Sequence, residues 1–271
     1  MSHLLRGHAP ITDEGWKLID EEARERLQPG LATRRLVDFS GPHGWEYSAT
    51  NLGRVERADV SELKGVEANR RIVLALIELR SRFTVAREEL RAGDRGSEDV
   101  DFASLDDAAQ RIVDAENTAV FHSWTKAGIE GITAATPHKP IVRAKSFEDY
   151  TGCVARAVEL LLRSGIEGPY GLALGREDYT RVVETAEHGG YPLLDHLRNI
   201  IKGPIVWAPG VKGAVVLSMR GGDFAFDSGE DLSVGYESHD AESVSLYIEE
   251  SFSFRVLTPE AAVAITAPKG R

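Results

Sequence analysis

Ile77-Glu78-Leu79-Arg80-Ser81-Arg82-Phe83-Thr84-Val85 sets mostly apolar odd positions against polar or charged even ones. A period of two sustained over the whole stretch marks a strand with one face buried and one solvated. Upstream, residues 51–76 continue the extended character, but 53–71 are charged and poor in apolar side chains. That segment cannot build a core of its own. A two-stranded ribbon of this kind is marginal alone and needs another surface to lie on.

Helical patterns flank the extended region. Thr12 is placed to N-cap a helix over 12–27, with Asp13 and Glu14 in a first turn that favours negative charge. Trp16, Ile19, Ala23 and Leu27 recur at helical spacing, and Pro29-Gly30 ends the run. Ser104-Leu105-Asp106-Asp107 resembles a capping box opening a long helix over 105–126, with Gly128 as its stop. A second long helix is expected over 147–163. Short strands then alternate with glycine-rich turns at 170–174, 205–208, 213–219 and 243–256, with a helical segment at 178–186 between them. No repeat or low-complexity tract appears. Helices and strands neither alternate regularly nor separate cleanly, so the fold class is α+β.

The 271 residues carry a net charge of −11 and no run of five or six basic residues, which opposes a track for nucleic-acid phosphates. The longest uninterrupted apolar run, 72–77, is far too short for a bilayer, so no membrane association is expected. The opening residues lack the pattern of a secretory signal, and a single cysteine, Cys153, fits a reducing compartment; the expected location is cytoplasmic.

The common signatures for phosphate-binding loops, dinucleotide folds, serine hydrolases and zinc sites are missing. Ser61-Glu62-Leu63-Lys64 and Ser123-Trp124-Thr125-Lys126 match the serine–lysine spacing of a nucleophile with a lysine base, but the partner motifs are absent and chance explains both. Glu116 and His122 are spaced wrongly for a carboxylate-bridged di-iron site, so His122 reads as a solvated or core-satisfied histidine. Glu184, Glu187 and His188, just before Gly189-Gly190, read either as a solvated helix end or as metal or ring ligands, with no fourth ligand in view. Cys153 reads as a buried structural thiol.

Six segments carry a resemblance to a known family. They are 37–47 (Val-Asp-Phe-Ser-Gly-Pro-His-Gly-Trp-Glu-Tyr), 76–80 (Leu-Ile-Glu-Leu-Arg), 165–170 (Gly-Ile-Glu-Gly-Pro-Tyr), 220–224 (Arg-Gly-Gly-Asp-Phe), 231–237 (Asp-Leu-Ser-Val-Gly-Tyr-Glu) and 250–256 (Glu-Ser-Phe-Ser-Phe-Arg-Val). In this order, over nearly the whole chain, they resemble the encapsulins, linocin-type shell proteins related to the tailed-phage major capsid fold. The resemblance implies an N-terminal helix and the start of a peripheral domain in 1–48, an extended loop arm in 49–82, and a peripheral domain with a spine helix in 83–132. It also implies a compact axial domain in 133–222 and return strands completing the peripheral domain in 223–271.

The implied function is a non-enzymatic shell subunit, assembling in about 60 copies or a multiple into an icosahedral nanocompartment. It would enclose a cargo enzyme, such as a dye-decolorising peroxidase or ferritin-like protein with iron-storage or oxidative-stress roles, held by a C-terminal targeting peptide. The expected cargo groove is formed by Ile19, Ala23, Leu27, Asp38, Phe39 and Leu232. Glu184, Glu187, His188, Gly189 and Gly190 are expected to form a pore at the five-fold vertex. Some members hold a flavin against an aromatic residue just after the arm; here that segment, 85–90, contains none, so no cofactor and no metal are expected. A phage-type capsid that packages nucleic acid is an alternative on the same fold, and a linocin-type bacteriocin or protease is another.

Overall fold

The computed structural model describes residues 3–59, 65–144, 149–185 and 192–268. The first helix, α1 (Asp13–Leu27), starts where Thr12 Oγ1 accepts the Gly15 N–H, and it buries Trp16, Ile19, Ala23 and Leu27. Pro29 and Gly30 turn the chain into a single helical turn, α2 (Thr33–Leu36), too short to leave a periodic signal in the sequence. A short strand, β1 (Asp38–Ser40), follows.

The extended region resolves into three strands. β2 (Ala49–Ala58) and β3 (Ala68–Ala75) pair only with each other as an antiparallel hairpin, the arm. β4 (Ile77–Ala86) belongs to the body instead, so the arm ends earlier than the expected boundary at 82. The reason is the period-two pattern: Leu79, Phe83 and Val85 face inward with Ser81, and only a sheet with a covered face can bury them.

After α3 (Arg87–Asp94) comes the spine, α4 (Ala103–His122), packed on β4 and α1. Both ends differ from expectation. Ser104 lies inside the first turn and donates to the Thr84 carbonyl at 2.5 Å, tying helix to strand rather than capping. The helix stops at His122 because Ser123 takes a positive φ of 86°, while Gly128 closes a separate 3-10 turn. The spine is anchored by Asn117, which donates to the carbonyls of Gly30 (2.8 Å) and Pro209 (2.9 Å) and accepts from Thr33.

The remaining elements are α5 (Ile132–Ala135), β5 (Ile141–Val142), α6 (Tyr150–Arg163), β6 (Tyr170–Leu174), α7 (Arg176–Glu184), α8 (Leu193–Ile201), β7 (Ile205–Trp207), β8 (Ala214–Ser218), β9 (Phe224–Ser228), β10 (Ser233–His239), β11 (Ser243–Val256) and β12 (Ala262–Thr266). One sheet is built on β11. β4 runs antiparallel along one edge of it, β10 and β9 share the other edge, and β1 adds parallel to β9. The second sheet has the order β5-β12-β8-β6-β7. Its central strands β6 and β8 are buried at every residue, with α6, α7 and α8 packed around them, which explains their continuous apolar runs.

Among the elements with no sequence expectation of their own are α2, α3, α5, β5 and α8. α8 buries Leu193, Leu197 and Ile201 on one face. β12, expected among the strands completing the first sheet, pairs with β8 and β5 in the second. Its run Ala262-Val263-Ala264-Ile265 is buried throughout and suits a central position between two strands.

Candidate functional site

A cavity of about 440 Å³ lies between α1 and the start of β10, within the range of about 300–1,000 Å³ usual for ligand sites. Its apolar lining comes from Ala23, Leu27, Leu31, Leu232, Val234 and Ile248. Charged side chains ring it: Arg6, Asp20, Arg24, Arg34 and Asp231. Arg6 is fixed by a bidentate pair with Asp20 at 2.7 and 2.8 Å, donates to the Val234 carbonyl at 2.8 Å, and lies over the Trp16 ring. An apolar floor with a fixed charged rim suits a short peptide, whose side chains would fill the floor while its backbone meets the rim.

Of the six expected groove residues, the structure brings Ala23, Leu27 and Leu232 together in this lining. Ile19 is fully buried and belongs to the core beneath. Asp38 is not part of this lining: its exposed carboxylate accepts the Gly222 N–H at 2.6 Å and borders a separate, smaller cleft. Phe39 stacks on Phe226 and lies under the Arg34 guanidinium, which itself lines the cavity. Phe39 therefore positions a rim residue and does not line the cavity.

The sequence reading did not include Arg34. It bridges three carboxylates, contacting Glu116 at 3.0 Å, Glu250 at 2.9 Å, and Asp231. Glu116 and Glu250 are almost wholly buried. Burial disfavours the arginine's charge, but Glu116, Glu250 and Asp231 outweigh it and raise its pKa. Burial, then the neighbouring Glu116, push Glu250 well above the usual carboxylate range against the opposing pull of Arg34. One Oε1 on each glutamate lacks a hydrogen bond to the rest of the protein, and a proton shared between them satisfies both. A signal for these acids did exist. Glu116 falls on the spine's apolar stripe with Ile112, Val113, Ala119 and Val120, and Glu250 shares a strand face with Ile248 and Phe252. A carboxylate in such a row demands a partner.

Among the other singled-out residues, His122 is core-satisfied. Its Nε2 accepts the Lys212 N–H at 2.8 Å, which leaves Nδ1 to donate to Thr133 Oγ1 at 3.1 Å. Ser123 Oγ accepts the Gly131 N–H and serves the turn; Ser61 and Lys64 lie outside the described residues. Cys153 is buried. Glu184 ends α7, exposed and paired with Arg181 at 2.8 Å. Glu187, His188, Gly189 and Gly190 lie outside the described residues. Among the described residues no cluster of His, Cys, Asp and Glu could hold a metal ion, and no helix is long and apolar enough to cross a membrane.

Comparison with known proteins decides the family. A family model described as "Encapsulating protein for peroxidase" matches residues 1–253. The chain is 44% identical to a type 1 encapsulin shell protein of Rhodospirillum rubrum over 98% of its own length and 96% of the relative's. It belongs to the encapsulin shell-protein family. A second relative, the type 1 encapsulin shell protein of Brevibacterium linens, is 42% identical over 98% of this chain and all of that one. These relatives are shell proteins, a structural role and not a catalytic one. Among solved structures, the virus-like particle of Pyrococcus furiosus aligns with a TM-score of 0.62 at 16% identity, covering 92% of this chain and 98% of that one. The capsid of an empty GTA particle aligns with a TM-score of 0.52 at 14% identity, covering 89% and 90%. These two likenesses establish the phage-capsid-like α+β fold expected from the sequence.

Proposed function

We propose that this encapsulin subunit self-assembles into a closed icosahedral shell in the cytoplasm and encloses a cargo enzyme. The observation that carries the reading is the arm. β2 and β3 pair with each other and, among the described residues, with no strand of the body, leaving Val55 and Val73 exposed. A two-stranded ribbon with no core of its own gains stability by lying on another surface, which a neighbouring copy supplies, and repeated heterologous contacts close into a shell when their rotations obey point-group symmetry. The family description, which names a peroxidase as what is encapsulated, favours an oxidative enzyme as cargo. In this reading the cavity beside α1 receives a C-terminal peptide of that cargo.

Sedimentation of the protein expressed alone tests assembly. Hollow particles in the megadalton range are expected, and a stable monomer near 29.7 kDa would refute the reading. The absorbance ratio of the same particles separates a protein compartment from a nucleic-acid-packaging capsid. Cargo docking is tested by Ala23→Trp, which fills the cavity, and by Leu232→Ala, which removes part of its apolar wall. Both should form intact shells with reduced cargo co-purification, and wild-type loading in both would exclude this cavity.

A further inference from the structure

The rim of the cavity beside α1 holds one cation that the rest of the rim does not neutralise. Arg6 and Asp20 satisfy each other through their bidentate pair at 2.7 and 2.8 Å. Asp231 is engaged by Arg34, which also reaches the buried Glu116 and Glu250. Arg24 is left. It lines the cavity, is exposed, and its guanidinium forms no ion pair or hydrogen bond among the described residues. The neighbouring Glu21 and Glu25 neither pair with it nor belong to the lining.

The pairing on α1 explains why this cation is free. An acid four residues before an arginine is its usual helical partner, and Asp20 stands in that place. Arg6, carried by the segment before α1, takes both Asp20 oxygens and is fixed further by the Val234 carbonyl at 2.8 Å. On the other side, one turn on, Gln28 is neutral. The exchange leaves Arg24 on the same turns of α1 as Ala23 and Leu27, which supply part of the apolar floor. An anion held there lies about one helical turn, ~5.4 Å, from that floor.

We propose that Arg24 is a specificity residue of this cavity, selecting a docking peptide in which an acidic side chain stands beside an apolar anchor. A guanidinium and a carboxylate meet through two parallel hydrogen bonds, which sets the register of the peptide as well as adding affinity. An apolar floor alone accepts many apolar tails; the unpaired cation discriminates against those that are basic or carry no charge. This inference rests on the cargo reading above, and the experiment separates the two.

The probe is a fluorescent protein ending in the C-terminal segment of the enzyme that co-purifies with wild-type shells, co-expressed at a limiting level with each shell variant. Fluorescence per purified shell is the readout, with sedimentation and circular dichroism confirming intact particles. Arg24→Lys should keep most of the uptake, Arg24→Gln should lose on the order of two- to fivefold, as expected of an exposed ion pair, and Arg24→Glu should lose more. Changing each Asp or Glu of the probe to Lys in turn should reveal one position whose loss is recovered by Arg24→Glu. Arg6→Gln should also lower uptake, because Asp20 then turns to Arg24, and adding Asp20→Asn should restore it. Extending the probe by a short Gly-Ser tail should change nothing; loss on extension would mean that the terminal carboxylate is read and the proposal is wrong. Undiminished uptake by Arg24→Glu, normal loading of a probe free of Asp and Glu, or no recovery in either paired exchange would likewise overturn the role of Arg24, while exclusion of the probe by Ala23→Trp would leave the cavity reading standing. Wild-type shells that retain no enzyme would overturn both.

Discussion

Arg34 lines the cavity and is the cation that holds two buried glutamates behind it. Removing it leaves Glu116 and Glu250 buried without a cation, so Arg34→Ala should cost about 3–5 kcal/mol of subunit stability, read from urea unfolding of the dissociated chain. Glu250→Gln tests the shared proton. Because its folded pKa is raised, Glu250 contributes stability below the ordinary carboxylate range and loses it as pH rises toward the folded pKa. The glutamine variant should therefore gain on wild type as pH increases from about 4.5 upward, in thermal melts across that range. His122 works with the opposite sign. Burial, then Lys212, lowers its pKa, so the unfolded chain binds the proton more readily and stability falls as pH drops below about 6.5. His122→Asn should flatten that part of the melting profile.

At the scale of elements, the arm and the turns show how local sequence and remote packing divide the work. Replacing 50–74 by a short flexible linker should leave a folded subunit, since β4 pairs with β11 and not with the arm. The particles, however, should be lost, which sedimentation and circular dichroism together would show. Gly213 is the contrasting case. It has a φ of +75°, and a Cβ there would stand 2.2 Å from the Ile265 carbonyl oxygen. Gly213→Ala should push β12 from β8 and destabilise the second sheet by a few kcal/mol, on the order of 2–3, measured as a lower unfolding midpoint.

Across the whole molecule, two sheets are stitched by segments far apart in sequence. β11 draws β4, β9 and β10 into one sheet, while β12 returns to β8 and β5 in the other. Asn117 ties the spine to the turn after α1 and to the loop after β7. The body is closed around its core, and the arm, with its exposed valines, lies outside that core.

What the sequence determined by itself was whatever repeats locally. The α1 stripe with its Thr12 cap, the period-two strand β4, the coreless arm and the α+β class all follow from spacing that a single element imposes on its own residues. Six widely spaced segments identified the family, and the structure brings Ala23, Leu27 and Leu232 of the expected groove into one cavity lining. Tertiary structure alone decided which apolar residues became floor and which became core, sending Ile19 inward and engaging Asp38 with Gly222. It alone paired Arg34 with acids 82 and 216 positions away, and moved β12 into the second sheet. Short elements such as α2 hold too few residues to show a period. Ion partners brought together by chain crossings leave no trace in local spacing, because their proximity is set by how the two sheets pack and not by the residues beside them.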